Sequence, residues 1–336
     1  MKTILLIGTG GTIASADGPL GLAPVYSPAQ LLSFIPDATK NCHINTCQIL
    51  NLDSTNMQPE HWLKIAQTIA ENYGAYDGFL ITHGTDTMAY TAAALSYILQ
   101  DSSKPLVLTG SQRPIDREGT DAKQNLRDAI LFTCQGPGGV FLVFNGKVIN
   151  GNRAVKLRTK SDDAFASINY PPVATIEKEH IAFHPTYTRP QIDRQLKYYP
   201  KLATDVLLIK LMPGFQPSLF DHIAGSYRGV VIESFGTGGV PFLGESNVLV
   251  KIEELTKAGV IVVITTQVLM EGSNLSLYEI GRKALQKGIL PAYDMTTEAA
   301  VTKLMWALGQ ASDYESVRDL FLKPIADDLT LPSIPS

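Results

Sequence analysis

Short apolar runs alternate with longer amphipathic stretches along most of this chain, and that rhythm limits the fold more than any other feature. The apolar runs are ILLIG (4–8), QILNL (48–52), GFLIT (78–82), PLVLTG (105–110), GVFLVF (139–144), VLLIKL (206–211), GVVIESF (229–235) and VIVVITT (260–266). Several are continuously apolar, as a strand covered on both faces must be. Between them, 59–73 has Pro59 in its first turn and sets Trp62, Ile65, Ala66 and Ile69 on one helical stripe. Stretches 87–100 and 121–133 follow their strands directly, and 296–310 carries an apolar face through Ala300, Leu304, Ala307 and Leu308. This succession builds parallel sheets flanked by helices, so the expected class is α/β.

Residues 184–204 break the rhythm: they are polar, hold three prolines and lack a buried run. With 336 residues to accommodate, the expectation is two α/β domains with parallel sheets. The larger N-terminal domain spans 1–184, a linker 185–204, and the smaller C-terminal domain 205–336. The formal charge is −4, from 32 acids against 28 bases, with no basic block, so no nucleic-acid partner is expected. The apolar run after Lys2 stops at Gly8, short of a secretory core, and no stretch approaches the ~20 apolar residues of a membrane span. Three cysteines, Cys42, Cys47 and Cys134, are too few for a disulfide framework and fit no zinc spacing. Cys42 and Cys47 could bridge, but free thiols in a reducing cytoplasm are the expectation.

In open parallel sheets, ligands bind beyond the carboxyl ends of the strands. Two such ends carry Gly-Thr: GTGGTIAS after the first strand, and THGTDTMAY (82–90) after GFLIT. A dinucleotide fingerprint from Gly8 would need glycine where Ile13 stands, and a helix where the Gly- and Pro-rich 14–24 reads as a loop or hairpin. Nucleophilic catalysis fits better. Thr12 offers a hydroxyl on a turn where glycines let a substrate approach closely. Thr85 offers another, with Asp86 beside it and a helix N-terminus whose N–H groups favour an anion. A lysine able to move protons lies within 153–165, where Lys156 and Lys160 are both available and spacing does not choose between them. Singly, each pattern reads more simply as a tight turn, a helix cap or, for His83, a strand-end packing residue. Their joint occurrence at neighbouring strand ends favours chemistry.

These residues resemble the L-asparaginase family. The matching stretches are T-G-G-T-I (9–13), D-S-T-N-M (53–57), H-G-T-D-T-M (83–88) and R-A-V-K (153–156). E-S-F-G-T-G-G-V-P (233–241), T-T-Q (265–267) and D-M-T-T-E-A-A-V-T-K-L-M-W (294–306) extend the match over nearly the whole chain. The last stretch is most similar to the type I, cytoplasmic branch. An archaeal relative serves as the catalytic subunit of a transamidation complex on glutamyl-tRNA and carries an extra domain ahead of the T-G-G-T strand. Here that strand starts at residue 3, so that role is not expected.

The resemblance implies hydrolysis of L-asparagine to L-aspartate and ammonia, without metal or cofactor. Thr12 would be the nucleophile that forms the acyl-enzyme, and Thr85, Asp86 and Lys156 the group that handles protons. Ser54 and Thr55, with Asp53 nearby, would hold the substrate's α-carboxylate, and Asp86 would meet its α-amino group. The family's site forms between paired subunits, which implies a homodimer or homotetramer. Two positions depart from the pattern. Leu22 stands where many relatives place a lid tyrosine, leaving Tyr26 to replace it or merely to pack, on a lid of residues 14–27. Gly239 stands where many relatives place an asparagine that reaches a neighbouring subunit's site. The alternatives are a glutaminase or amidotransferase-type subunit, and a non-catalytic amino-acid sensor on the same scaffold.

Overall fold

The computed structural model of the protein describes residues 1–19, 21–40, 42–188 and 195–331. The chain divides into two compact units, Met1–Pro200 and Lys201–Ser336. Of the expected linker 185–204, residues 189–194 lie outside the described residues. Lys197–Tyr198 pair antiparallel with Leu99–Gln100 inside the first unit.

The first unit is built on an eight-stranded sheet. Its strands are β1 (Lys2–Gly10), β2 (Cys42–Leu52), β3 (Gly78–Thr82), β4 (Pro105–Thr109), β5 (Gly139–Phe144), β6 (Lys147–Asn150), β7 (Ala174–Glu177) and β8 (His180–Phe183). They lie in the order β8-β7-β6-β5-β4-β3-β1-β2. The five strands from β5 to β2 run parallel, with Ile4 against Gly78 and Phe79 against Leu106 fixing the central register. Phe79, Leu80 and Ile81 are wholly buried, which is why this run is apolar without alternation.

The flank beside this parallel core is antiparallel: β5, β6, β7 and β8 pair in that sense. Asn145 (φ 48°) and Gly146 (φ 71°) make the turn, an Asn-Gly pair in the left-handed region that a tight hairpin requires. The edge strand β2 begins at Cys42 rather than at Gln48. Its first half, with His43, Asn45 and Thr46, faces solvent on an edge and therefore carries no apolar run.

The helices of this unit are α1 (Pro28–Ser33), α2 (Pro59–Asn72), α3 (Met88–Ile98) and α4 (Ala122–Gln135). Helix α2 opens with Pro59, and His61 Nδ1 accepts from the Gln58 N–H at 2.9 Å. It buries the stripe Trp62, Ile65, Ala66 and Ile69. The 14–24 segment is a hairpin, Ser15–Gly18 against Gly21–Pro24, pairing Ser15 with Pro24.

The second unit holds a four-stranded parallel sheet in chain order: β9 (Val206–Lys210), β10 (Gly229–Ser234), β11 (Ile261–Thr266) and β12 (Leu290–Pro291). Its helices are α5 (Val248–Lys257), α6 (Glu279–Gln286), α7 (Thr297–Gln310) and α8 (Tyr314–Leu322). The Thr296 side chain caps α7 by accepting from the Ala299 N–H. That helix buries Ala300, Leu304, Ala307 and Leu308 as its periodicity requires. Cys42 and Cys47 both lie on β2, five residues apart and so roughly 16 Å along a strand, which rules out a bridge between them. All three thiols are free of disulfides.

Candidate active site

The carboxyl ends of β1, β2 and β3 converge because their connecting turns are nearly side-chain-free. Gly10 (φ 102°) and Gly11 (φ 80°) turn the chain sharply, and the Gly11 N–H donates to Leu52 O at 2.9 Å. A Cβ on Gly11 would lie 2.3 Å from Gly84 N, and one on Gly84 would lie 2.5 Å from Ser54 Oγ. Three turns from three strands thus touch backbone to backbone, and only glycine permits it.

Beyond this junction lies a cavity of about 50 Å³. Thr12, Asp53, Ser54, Thr85 and Asp86 line it, with Ser15 and Leu22 from the base and arm of the hairpin. Thr12 begins a single 3-10 turn capped by Gly11, while Ser15 Oγ donates back to Gly11 O at 2.9 Å and steadies that turn. Ser54 is buried, and its carbonyl accepts from Thr87 Oγ1 at 2.7 Å, which joins the β2 turn to the start of α3.

The lysine question has a geometric answer. Lys156 stands on a short hairpin, Ala154–Lys156 against Phe165–Ser167. Its Nζ donates to Thr85 Oγ1 at 2.8 Å and pairs with Asp86 Oδ1 at 2.5 Å. Lys160 is exposed and makes neither contact. Thr85 is buried, whereas the Asp86 carboxylate is about half exposed at the cavity, able to hold Lys156 with one oxygen and meet a ligand with the other.

The expected binding residue Thr55 and the lid candidate Tyr26 both lie off the cavity. Thr55 does not line the cavity; its backbone N–H and its hydroxyl both donate to Asp53 Oδ1, each at 2.9 Å. These two bonds hold the Asp53 carboxylate in place. Tyr26 is also off the cavity: its hydroxyl donates to Asp116 Oδ2 at 3.2 Å and its ring packs edge-on against Phe34. The hairpin is tied to the same neighbouring loop by the Arg117–Asp17 ion pair. Leu22, not Tyr26, is the hairpin side chain that reaches the cavity.

Sequence reasoning missed Gln112. Its amide N–H groups donate to Arg158 O (3.3 Å) and Ser161 O (3.1 Å), which turns Oε1 toward Thr85. Thr85 Oγ1 donates to that oxygen at 3.3 Å. A carbonyl oxygen only accepts and a lysine Nζ here only donates, so the Thr85 proton points to Gln112 and its lone pair to Lys156. No sequence spacing signals this, because the partners come from separate loops.

His83 is buried as a strand-end residue should be, but it is also wired. Nδ1 lies 2.7 Å from Gly84 O, and Nε2 lies 2.9 Å from Thr91 Oγ1, which is 3.0 Å from Trp62 Nε1. An indole N–H can only donate and a carbonyl can only accept. Trp62 therefore donates to Thr91, Thr91 to Nε2, and Nδ1–H to Gly84 O, which fixes one neutral tautomer. Burial holds this imidazole down to about 4, well below its usual value. Among the described residues, no group of three or more His, Cys, Asp or Glu is placed to hold a metal.

Comparison with known proteins gives a consistent answer. Residues 3–189 match the family "Asparaginase, N-terminal", and residues 205–321 match the "Glutaminase/Asparaginase C-terminal domain". The chain is 40% identical over 329 residues to the L-asparaginase of Thermococcus kodakarensis, covering 97% of this chain and 99% of that one. The solved structure of the thermostable L-asparaginase from that organism has a TM-score of 0.92, covering 98% of this chain and 100% of its own. L-asparaginase I from Vibrio cholerae has a TM-score of 0.89 at 30% identity, covering 98% and 99%. A glutamyl-tRNA(Gln) amidotransferase polypeptide of Pyrococcus horikoshii is 35% identical over 342 residues, which cover 98% of this chain and 77% of that one.

Proposed function

This chain belongs to the asparaginase family, and on that premise we propose that it hydrolyses L-asparagine to L-aspartate and ammonia, with Thr12 as nucleophile. One observation carries the reading: Lys156 Nζ contacts both Thr85 and Asp86 beside the cavity that Thr12 lines.

In this mechanism Thr12 Oγ attacks the side-chain amide carbon while its proton is relayed to the amide nitrogen; the C–N bond breaks, ammonia leaves carrying that proton, and an aspartyl ester remains on Thr12. Water then attacks the ester, the bond from the acyl carbon to Thr12 Oγ breaks, L-aspartate leaves, and a water proton returns to Thr12 Oγ by relay through the Thr85 hydroxyl that Lys156 holds. A hydroxyl is a weak nucleophile until a neighbour takes its proton, and such a group is worth about 10²–10⁴ in rate. At the zwitterionic end of the substrate, the Asp86 carboxylate takes the ammonium and the Ser54 hydroxyl donates to the carboxylate. The hairpin carrying Leu22 is the lid that excludes water. The N-terminal unit supplies these residues.

We assign the protein to the cytoplasm as a homodimer or homotetramer. Its three thiols are unbridged, and among the described residues no helix is long and apolar enough to cross a membrane. Phe242, Val250 and Tyr278 line one exposed groove of the second unit beside Glu253, Glu279, Lys283 and Lys287, a mixed apolar and charged surface that a second copy would cover.

The test is ammonia release by the purified protein from L-asparagine and from L-glutamine. Asparagine should be turned over readily and glutamine more slowly, since one methylene distinguishes substrates by only about 1–3 kcal/mol. Saturable binding of asparagine without ammonia would replace this reading with that of a sensor. Release that requires a tRNA-linked acceptor would replace it with that of an amidotransferase component.

A further inference from the structure

The chain holds only three cysteines, and two that are distant in sequence meet in space. Cys42 opens the edge strand β2 and is buried, while Cys134, in the last turn of α4, is partly exposed. Both line one cavity of about 300 Å³ on the first unit, whose wall mixes the cations Lys2, Arg127 and Lys178 with the acids Asp37, Asp128 and Glu179. Both also pack into the same apolar cluster beneath the sheet. The two thiols are close enough for each to shift the other's ionisation. Cys47, further along β2, does not reach this cavity.

Neither thiol has a part in the chemistry described above. Their cavity is formed near the amino end of β2, about 30 Å along the strand from Asp53 and Ser54. Two neighbouring thiols that line one cavity, one of them partly exposed, can be bridged once either is oxidised. The neighbouring Cys134 thiol draws the Cys42 thiol below its ordinary pKa, and the Cys134 thiol is pushed up in return.

We propose that Cys42 and Cys134 form a reversible intrachain disulfide when a peroxide enters this cavity. The Cys42 thiolate attacks one peroxide oxygen; the O–O bond breaks, a sulfenic acid forms and the second oxygen leaves as water. The Cys134 sulfur, losing its proton, then attacks the Cys42 sulfur and expels the sulfenic oxygen as a second water. Two thiols are oxidised by two electrons in all, hydrogen peroxide is reduced to two waters, and thiol reductants reverse the product. The new bond fastens the start of an edge strand to the end of α4 and closes the long loop between them. Restricting the unfolded chain in this way stabilises the fold, while the distant active site keeps its geometry.

Peptide mapping of the full-length protein tests this directly. After brief treatment with hydrogen peroxide and alkylation under non-reducing conditions, the peptides bearing Cys42 and Cys134 should appear linked. Cys47 should remain alkylated, and dithiothreitol should restore both thiols. The oxidised protein should unfold several degrees above the reduced one, with ammonia release from asparagine changed less than twofold. Cys134→Ser should abolish the link and leave Cys42 as a sulfenic acid that dimedone traps; Cys47→Ser should leave the link intact. Persistence of both thiols would overturn the proposal. So would oxidation to sulfinic acid without a link, or a link that engages Cys47 or a second chain. None of these outcomes depends on the substrate assignment.

Discussion

Lys156 Nζ lies 2.8 Å from Thr85 Oγ1 and reaches it from a different hairpin, seventy-one positions along the chain. Because Thr85 sends its own proton to Gln112, its lone pair is the part offered to Lys156, and the pair is poised to pass protons. Lys156→Met should therefore lower kcat by about 10²–10⁴, the range for a missing acid–base group. Lys160→Met should leave kcat within a factor of about two, as an exposed side chain away from the cavity should. Steady-state kinetics of the two variants check this, and the reverse ranking would move the role to Lys160.

Gln112 should act on Thr85 without touching the substrate. Gln112→Ala frees the Thr85 hydroxyl to rotate at the cost of one neutral hydrogen bond, about 1 kcal/mol or several-fold in rate. The expected result is a kcat reduced by roughly tenfold or less with KM little changed. A rise in KM at constant kcat would show Gln112 to be a binding residue instead.

His83 ties stability to pH. The folded protein keeps this imidazole neutral down to about pH 4, whereas the unfolded chain takes up the proton at about 6.5. The unfolded state thus binds more protons between those values. The contribution is complete above about pH 6.5 and is lost as pH falls toward 4, by roughly 3 kcal/mol in all. Urea unfolding across this range should show a shallower acid-side decline for His83→Asn than for the wild type. Parallel curves for the two proteins would contradict the neutral buried tautomer.

In the second unit, Lys303 and Asp328 form an ion pair with no solvent exposure, Nζ to Oδ2 at 2.6 Å, and Nζ also donates to Lys323 O. Burial lowers the lysine pKa and the carboxylate counteracts that shift. Removing one partner strands the other charge in a dry site. Asp328→Ala should destabilise the protein by about 3–5 kcal/mol in chemical denaturation. A change below about 1 kcal/mol would mean that water reaches the site.

Much of this was legible in the sequence, and the residues show why. The stripe Trp62, Ile65, Ala66 and Ile69 and the apolar run at 78–82 report burial directly, so helix and strand type could be read from period alone. Thr12, Thr85 and Asp86 stood out because strand ends gather polar residues where a ligand or a cap needs them, whereas spacing left Lys156 and Lys160 equal and only the contact with Thr85 separates them. The first half of β2 was hidden because an exposed edge strand needs no apolar residues. The antiparallel flank did leave a signal, the Asn145-Gly146 pair between two apolar runs, which marks a hairpin. Gln112, the His83 relay and the Cys42–Cys134 contact left none, since each depends on loops or elements brought together only by the completed fold. The places of Thr55 and Tyr26 were likewise set by partners, Asp53 and Asp116, that spacing does not reveal.

In the proposed mechanism the Thr12 hydroxyl attacks the substrate amide. Ammonia release from L-asparagine by Thr12→Ala, measured beside its unfolding curve, tests it most directly. The predicted result is turnover reduced by about 10³-fold or more, the scale for loss of a nucleophile, with a midpoint of unfolding close to wild type. A folded Thr12→Ala protein that keeps near-wild-type turnover would contradict the assignment.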